Sequence, residues 1–274
     1  MKADLHVHSS YSDGSETIET VLKLAKERAV TQISFVDHDT VKGLTKICTL
    51  GEKYGIEVIP GIEISAYDFK RNRKVHILGY NYDPRAVHIG SICDDLLKRR
   101  QTHSLWQIKQ IQKAGYDLDV EMIRETAKPS ETIYKQHIMR QLTEADYTSL
   151  TYKQLYKSLF KGEGVASGDI VYIDAVDAIK AIVADGGLAV VAHPGQLDSY
   201  DLIPELVPYG LGGIERNHPD HTASDYQKVE ALAERYGLVM TGGTDFHGAY
   251  GAIIEVGEIT SPSHLLKSYK NWCK

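Results

Sequence analysis

The stretch DLHVHSSYSDG, from Asp4 to Gly14, places two histidines and an aspartate near the start of the chain. Side chains alternate between the two faces of a strand, so His6 and His8 share one face while Leu5 and Val7 share the other. Two neighbouring imidazoles can bind a metal ion, or can be ordinary polar residues on a wet strand surface. The stretch therefore predicts a strand but leaves its chemistry open.

Strand and helix patterns alternate on either side of this stretch. Apolar residues recur at helical spacing from Ile18 to Ala25, in a helix that Ser15 can cap. Four strand-like runs occupy the first part of the chain: 2–8, 31–37, 56–65 and 74–80. Three more follow near the end: "LAVVAHP", "LGGIERN" and "LVMTGGTD". About seven strand–helix repeats favour an α/β fold with a parallel sheet closed into a TIM-like barrel.

The middle of the chain has a different pattern. From about Arg85 to Lys161 the sequence shows helical periodicity without convincing strands. We therefore predict a barrel formed by residues 1–84 and 162–274, with a helical insertion at residues 85–161. The insertion is either a cap over the barrel mouth or a plain addition to the surface.

Composition limits the class of protein. The chain has 274 residues and a formal net charge of -6, which argues against a stable complex with nucleic acid. The N-terminal segment has no charged and then apolar leader, and no apolar run is long enough to span a membrane. A cytoplasmic protein without a membrane partner is the expectation.

Histidines and carboxylates recur where the predicted strands end. Because the carboxyl ends of barrel strands converge on one mouth, these side chains are expected to meet there. The nine candidate metal ligands are His6, His8, Asp13, His38, Glu63, His76, His193, Asp245 and His247. They suffice for two or three divalent ions if a carboxylate bridges, and mixed imidazole and carboxylate donors suit zinc, manganese or iron.

Other polar residues receive plainer interpretations. Asp37 and Asp39 are candidates for orienting His38. His137 lies in a helical stretch, where a histidine can be structural or functional. Three histidines in helical or terminal segments are interpreted as ordinary surface or core residues: His88, His103 and His264.

Six stretches together resemble the PHP (polymerase and histidinol phosphatase) family. They follow one another in the family's order over most of the chain: "DLHVHSSYSDG", "SFVDHDT", "PGIEIS", "VHILGY", "AVVAHPG" and "GGTDFHG". The resemblance implies a distorted (β/α)7 barrel with a trinuclear metal site. It assigns His6, His8, Glu63 and Asp245 to one ion, Glu63, His76 and His193 to a second, and Asp13, His38 and His247 to a third.

Within that family, the insertion and the "GIE…HPDH" segment resemble the nucleotide phosphoesterase branch, whose members act on 3',5'-bisphosphate nucleotides or trim short RNA from the 5' end. Two positions depart from that branch. Arg216 and Asn217 replace an apolar and an aromatic residue, and Lys135 stands where an arginine is common. Lysine offers a point charge instead of a bidentate fork, so it would hold a phosphate differently.

The resulting hypothesis is metal-dependent hydrolysis of a phosphorylated small molecule, a nucleotide or short RNA. A hydroxide generated between cations bridged by Glu63 attacks phosphorus in line. His218 and His221 are candidates for giving a proton to the leaving oxygen. Three residues are predicted either to bind phosphate or to form salt bridges at the seam between cap and barrel: Lys135, His137 and Arg216.

Three alternatives remain at this stage. A phosphatase for a small phosphomonoester such as histidinol phosphate would use the same metal ligands. A regulatory module that holds metal without turnover would also keep them. A hydrolase on the related amidohydrolase barrel is a more remote alternative, since such sites commonly use a carboxylated lysine where Glu63 stands here.

Overall fold

The computed structural model describes residues 2–262. His264 and the end of the predicted segment 162–274 lie outside that range. The strands are β1 Ala3–Val7, β2 Gln32–Phe35, β3 Glu57–Val58, β4 Gly61–Asp68, β5 Arg73–Tyr80, β6 Ile173–Asp174, β7 Leu188–Val191, β8 Leu211–Asn217 and β9 Val239–Gly242. The α-helices are α1 Ile18–Glu27, α2 Leu44–Tyr54, α3 Val87–Lys113, α4 Val120–Ala127, α5 Lys135–Leu142, α6 Leu150–Phe160, α7 Ala175–Ala184, α8 Pro194–Leu197, α9 Ile203–Leu206 and α10 Ala223–Tyr236.

The strands form two sheets in a mixed α/β fold. One is parallel, with the order β1-β2-β3, and the other is mixed, with the order β6-β4-β5-β7-β8-β9. Strand β5 is antiparallel to both β4 and β7, so the prediction of a parallel sheet is wrong at this strand. Only residues 69–72 separate β4 from β5, which is too short for a crossover helix and allows only a hairpin.

Isolated parallel bridges join the two sheets at the ends that carry the predicted ligands. Val7 pairs with Phe246, and His38 pairs with Glu63. The predicted strand 56–65 is in fact two strands interrupted before Gly61, so that β3 pairs with β2 while β4 joins the larger sheet. A Cβ at Gly61 would lie 2.1 Å from the Ser34 Oγ, so this close approach of β4 to β2 requires glycine.

Helix α1 shows how the helices attach to the sheets. It begins after Thr17, whose hydroxyl accepts a hydrogen bond from the Thr20 N–H, and not after the predicted cap Ser15. Its apolar face, from Ile18 to Ala25, is buried and packs in one core with Phe35 of β2. This packing fixes the strand that leads to the first group of polar side chains.

Helices α3 to α6 surround an apolar core of their own. That core contains Ile108, Ile123, Ile138 and Phe160. Helix α3 has 27 residues and belongs to two cores, because its first half packs into the main core while its second half packs among α4 to α6. Within residues 2–262, no helix is both long and apolar enough to cross a membrane.

Candidate metal centre and adjoining cavity

The ends of the strands bring all nine predicted ligands to one place. Eight of them fall into three groups whose ligand atoms lie within 4.8 Å of one another: His8, Asp13, His38 and His247; His6, His8, Glu63 and Asp245; and His38, Glu63 and His76. The ninth, His193, places its Nε2 atom 2.9 Å from the Glu63 Oε1 atom. The three groups share members, so they form one continuous centre.

Glu63 lies at the middle of this centre and is almost completely buried. Its Oε1 atom is 2.8 Å from His76 Nδ1 and 2.9 Å from His193 Nε2. The Oε2 atom faces three other imidazoles, with Nε2 atoms at 3.2 to 3.4 Å: His6, His8 and His38. A carboxylate with two oxygens directed at different histidines has the geometry of a bridge between two ions.

The other side of the centre is formed by the loops after β1 and β9. Asp245 Oδ1 lies 3.2 Å from His6 Nε2 and 3.3 Å from His8 Nε2. Asp13 Oδ1 lies 3.4 Å from His247 Nε2. Asp245 adopts a positive φ of 51°, a conformation that non-glycine residues rarely take and that recurs at functional sites.

The residues fit divalent metal ions. Several buried ring nitrogens and a carboxylate oxygen of the centre have no hydrogen-bond partner within residues 2–262, namely His8 Nδ1 and Nε2, Asp13 Oδ1, His38 Nδ1 and His193 Nδ1. Buried polar atoms without partners are rare because desolvating them costs free energy. Imidazole nitrogens and carboxylate oxygens are the donors that zinc, manganese and iron accept.

Electrostatics supports the same interpretation. Burial raises the pKa of the Glu63 carboxyl, but His38 and the other surrounding imidazoles outweigh burial and hold that pKa well below its usual range. Burial lowers the pKa of His6, yet Glu215, Asp245 and Glu63 raise it well above the usual value. The centre therefore attracts positive charge, which protons or divalent cations can supply.

Glu215 holds two histidines of the centre in place, a role that was not predicted from the sequence. The His6 Nδ1–H donates to Glu215 Oε1 at 2.9 Å, and the His193 backbone N–H donates to Oε2 at 2.8 Å. This fixes the tautomer of His6 with its Nε2 atom directed at the centre. Glu215 sits on β8, a strand that the sequence predicted, and is buried there next to Ile214.

Asp37 and Asp39 do not orient His38, contrary to the interpretation from sequence. Asp37 accepts hydrogen bonds from the Ser9 N–H and from two serine hydroxyls, and so holds the loop after β1. Asp39 accepts from the Ser65 N–H at 2.7 Å. Neither carboxylate is hydrogen-bonded to the His38 ring, whose Nδ1 atom is without a partner within residues 2–262.

The two histidines predicted as proton donors differ in their surroundings. The Asp220 N–H donates to His218 Nδ1, which leaves the proton on Nε2, 3.3 Å from Asp245 Oδ2. His221 uses both ring nitrogens, since Nδ1 donates to the Arg216 carbonyl and Nε2 accepts from the Gly195 N–H. His221 therefore has no free proton for a substrate, whereas His218 faces the centre.

His137 lies away from the ligands and does not line the adjoining cavity. Its Nδ1 atom accepts from the Tyr134 N–H at 3.0 Å and satisfies the first turn of α5. Burial lowers the pKa of this imidazole to about 4, so it is neutral at physiological pH. The structure thus gives His137 a capping role instead of the predicted phosphate contact.

Arg216 points away from the centre because it follows Glu215 on β8 and alternation turns it to the opposite face. Its guanidinium donates to Glu230 of α10 and to Asn217 Oδ1, and lies 4.4 Å above the Tyr226 ring. The structure thus gives the predicted phosphate contact no support. It favours the salt-bridge alternative, with the pair lying between β8 and α10 and not at a seam with the insertion.

A cavity of about 420 Å³ opens from the centre toward the insertion. It reaches the predicted ligands Asp13, His38 and His76 at one end. Five cationic and five tyrosine side chains line it: Lys74, Arg100, Lys135, Lys153 and Lys161, with Tyr134, Tyr147, Tyr152, Tyr156 and Tyr172. A positive cavity beside a metal centre suits an anionic ligand with polar groups.

Arg100 of α3 is a functional candidate that the sequence did not reveal, since it lies in the charged run "KRRQ". Its Nη2 donates to Asp39 Oδ2 at 2.8 Å and to Ser65 Oγ at 2.9 Å. The guanidinium lies 4.9 Å above the Tyr134 ring. Gln136, two residues after Tyr134 in the insertion, donates to Asp13 Oδ2 at 2.9 Å. The insertion therefore contacts the centre directly.

Comparison with known proteins gives consistent matches. The profile of the PHP domain matches residues 4–183. The chain is 53% identical over 257 residues to the phosphoribosyl 1,2-cyclic phosphate 1,2-diphosphodiesterase of Eggerthella lenta, covering 94% of this chain and 98% of the relative. It is 30% identical to the 3',5'-nucleoside bisphosphate phosphatase of Chromobacterium violaceum, covering 89% and 86%. A crystal structure from Bifidobacterium adolescentis, described as a metal-dependent phosphoesterase, superposes with a TM-score of 0.86 at 25% identity, covering 95% and 92%.

Proposed function

The chain belongs to the PHP family and is a metal-dependent phosphoesterase, and on that premise we propose that it hydrolyses a phosphodiester of a phosphorylated ribose. The substrate class is suggested by the phosphoribosyl cyclic phosphate diesterase, with which this chain shares 53% identity. A substrate of that kind is a small, compact sugar that carries negative charge at two places. Such a molecule needs a reacting centre and a second positive region.

The observation that carries the proposal is that the cavity begins at the ligands and continues into cationic walls. Its volume of about 420 Å³ lies within the usual range for small-molecule sites. Lys135 lines this cavity and has no carboxylate within salt-bridge distance in the described residues. An unpaired cation in the cavity that reaches the centre favours a substrate that brings its own negative charge.

The nine predicted residues would hold two or three ions, with Glu63 between the groups of ligands. The chemistry that divalent cations supply when bound there is a lowered pKa of water and neutralisation of charge on the phosphoryl oxygens. Glu215 keeps His6 Nε2 directed at the centre. Each predicted ligand is assigned to an ion according to which ligand atoms lie close together.

The remaining side chains bind and supply protons. His218 holds a proton on Nε2 beside Asp245, at the edge of the centre, and is placed to give it to the leaving oxygen. Arg100, held by Asp39, presents a fixed positive charge to the reacting phosphoryl group. Lys135 contributes a second positive charge deeper in the cavity.

The proposal includes the architecture, a barrel with a cap as in the PHP family. In it, the two sheets are parts of one distorted (β/α)7 barrel, to which residues 2–84 and 162–262 of the described chain belong. Residues 85–161 form a cap, supported by the separate apolar core of α3 to α6 and by the contact of Gln136 with Asp13. The cap thus supplies one wall of the substrate cavity.

A second candidate is a 3',5'-bisphosphate nucleotide. It is favoured by the tyrosines of α6, because Tyr152 and Tyr156 stack nearly parallel at 6.4 Å and line the cavity. Aromatic rings of this kind can hold a nucleobase. The 30% identical bisphosphate phosphatase supports the same possibility.

The test is a substrate panel followed by phosphorus NMR, which detects opening of a diester as well as release of phosphate. Manganese-reconstituted protein and a chelated control would be given phosphoribosyl 1,2-cyclic phosphate, adenosine 3',5'-bisphosphate, a 5'-phosphorylated RNA trinucleotide and histidinol phosphate. We expect chelator-sensitive turnover with the highest kcat/KM on the cyclic phosphoribosyl diester. Highest activity on the bisphosphate would support the second candidate, and highest activity on histidinol phosphate would contradict both.

A further inference from the structure

His103 lines the cavity and has a ring nitrogen without a hydrogen-bond partner in the described residues. It lies on α3, stacks on Trp106 at 5.2 Å with an interplanar angle of 22°, and lines the cavity wall. Its ring is hydrogen-bonded to the backbone of Gly168. The Nε2 atom is buried and has no hydrogen-bond partner within residues 2–262. The stacked tryptophan and the backbone bond hold the ring in one orientation, in which the Nε2 atom is without a partner in the described residues.

Burial lowers the pKa of the His103 imidazole, and the charge of nearby Lys135 lowers it further. The lysine side chain is itself mostly buried, with its Nζ atom 5.9 Å from the Phe160 ring. No carboxylate of the described residues forms an ion pair with it. The charge of Asp169 raises the pKa of Lys135, but the Asp169 carboxylate is already bonded to Lys74 and Tyr172.

The charge around this pair is positive overall. Burial lowers the pKa of Lys135 to about 8, and three neighbouring cations add to that effect: Lys74, Lys161 and Arg100. A desolvated charge costs free energy unless it is paired, and Lys135 is left without a carboxylate partner in the described residues. A bound dianion would relieve this repulsion and would give the Nε2 atom of His103 a partner.

We propose that His103 and Lys135 form a second anion subsite, which binds a phosphomonoester group of the substrate that is not hydrolysed. This inference rests on the proposed function and deepens it, because it makes the second phosphate of a phosphoribosyl substrate the group that determines specificity. On binding, the His103 Nε2 atom takes up a proton from solvent and donates it in a hydrogen bond to a phosphate oxygen. Lys135 donates to the same group as an ammonium ion.

The experiment compares two substrates that differ only in the second phosphate: phosphoribosyl 1,2-cyclic phosphate and ribose 1,2-cyclic phosphate. We expect His103→Gln to raise KM about ten- to a hundredfold for the first substrate, the size of a charged hydrogen bond, and to leave its kcat nearly unchanged. The same variant should leave kcat/KM for the second substrate unchanged. His88→Gln is the matched control, since His88 is exposed on the same helix and does not line the cavity.

Ligand binding to the second anion subsite can also be measured without turnover. Ribose 5-phosphate should quench the fluorescence of Trp106, because a protonated imidazole stacked on indole is a quencher, and this change should be absent in Trp106→Phe. An equal KM of wild type and His103→Gln for both substrates, or no quenching, would overturn the subsite while leaving the proposed function intact. Quenching by ribose 5-phosphate without hydrolysis of either diester would instead overturn the proposed function.

Discussion

Replacing Glu215 with glutamine should weaken metal binding although Glu215 is not itself a ligand. The carboxylate is fully buried and accepts two hydrogen bonds, from the His6 Nδ1–H and from the His193 backbone N–H. An amide of the same shape can accept only one of them. If its oxygen faces His6, its NH2 group meets the His193 N–H. If it turns over, His6 must move its proton to Nε2, the atom directed at the centre.

Either orientation has a cost that can be estimated. A buried donor left without an acceptor costs about 1–3 kcal/mol. Loss of a carboxylate that orients a metal-binding histidine typically lowers metal affinity or activity about 10- to 100-fold. We therefore expect Glu215→Gln to bind manganese about 10- to 100-fold more weakly and to unfold in urea with about 1–3 kcal/mol less stability.

The assay is chelator competition for metal affinity, combined with urea unfolding of the metal-free protein and kcat at saturating metal. Glu230→Gln provides the matched control, because Glu230 pairs with Arg216 on the far side of the same strand and is half exposed. It should change stability by less than about 1 kcal/mol and leave metal affinity unaltered. Unaltered metal affinity in Glu215→Gln would refute the orienting role.

Three further variants test the site. Glu63→Gln should abolish turnover and lower metal content measured by mass spectrometry, since both oxygens face histidines; full activity would contradict the bridging assignment. Lys135 has a pKa lowered to about 8 by burial and neighbouring cations, so its charge is present below that pH and lost above it. KM for a substrate with a second phosphate should therefore rise from about pH 8 upward, and Lys135→Met should remove this dependence; an unchanged profile would argue against phosphate contact. Arg216→Ala should leave KM unaltered and reduce the free energy of unfolding by about 1 kcal/mol through the lost contacts with Tyr226 and α10; a raised KM would restore the phosphate role.

The clustering of the nine predicted ligands could be predicted from sequence because strand ends meet at one edge of a sheet. This held even for His76, although β5 runs antiparallel, since the hairpin pairs it with Ser65, two residues after Glu63. Strand alternation also separates Glu215 from Arg216, and applying it at that position would have placed the arginine on α10. The prediction that Arg216 binds phosphate followed the family resemblance and not the alternation of side chains along the strand.

The cavity wall could not be predicted in the same way. Arg100 and His103 look like members of a charged and polar helix surface, because local periodicity does not say what a helix lies against. Their roles depend on the angle at which α3 crosses the ends of the strands. His137 was ambiguous for a related reason, since its capping bond depends on the turn before α5.

Helix α3 extends for about 40 Å and is shared by the main core and by the core of the insertion. Neither half can melt without fraying a helix on which the other depends, so unfolding of the two cores is coupled. Ligand binding at the centre should therefore protect distant backbone amides of this helix from hydrogen exchange. Hydrogen exchange around Ile108 and Ile111, far along the helix, should slow when metal is added. Because the helix is continuous, binding at the strand ends should change the stability of the insertion, even where the side chains of the insertion contact no ligand.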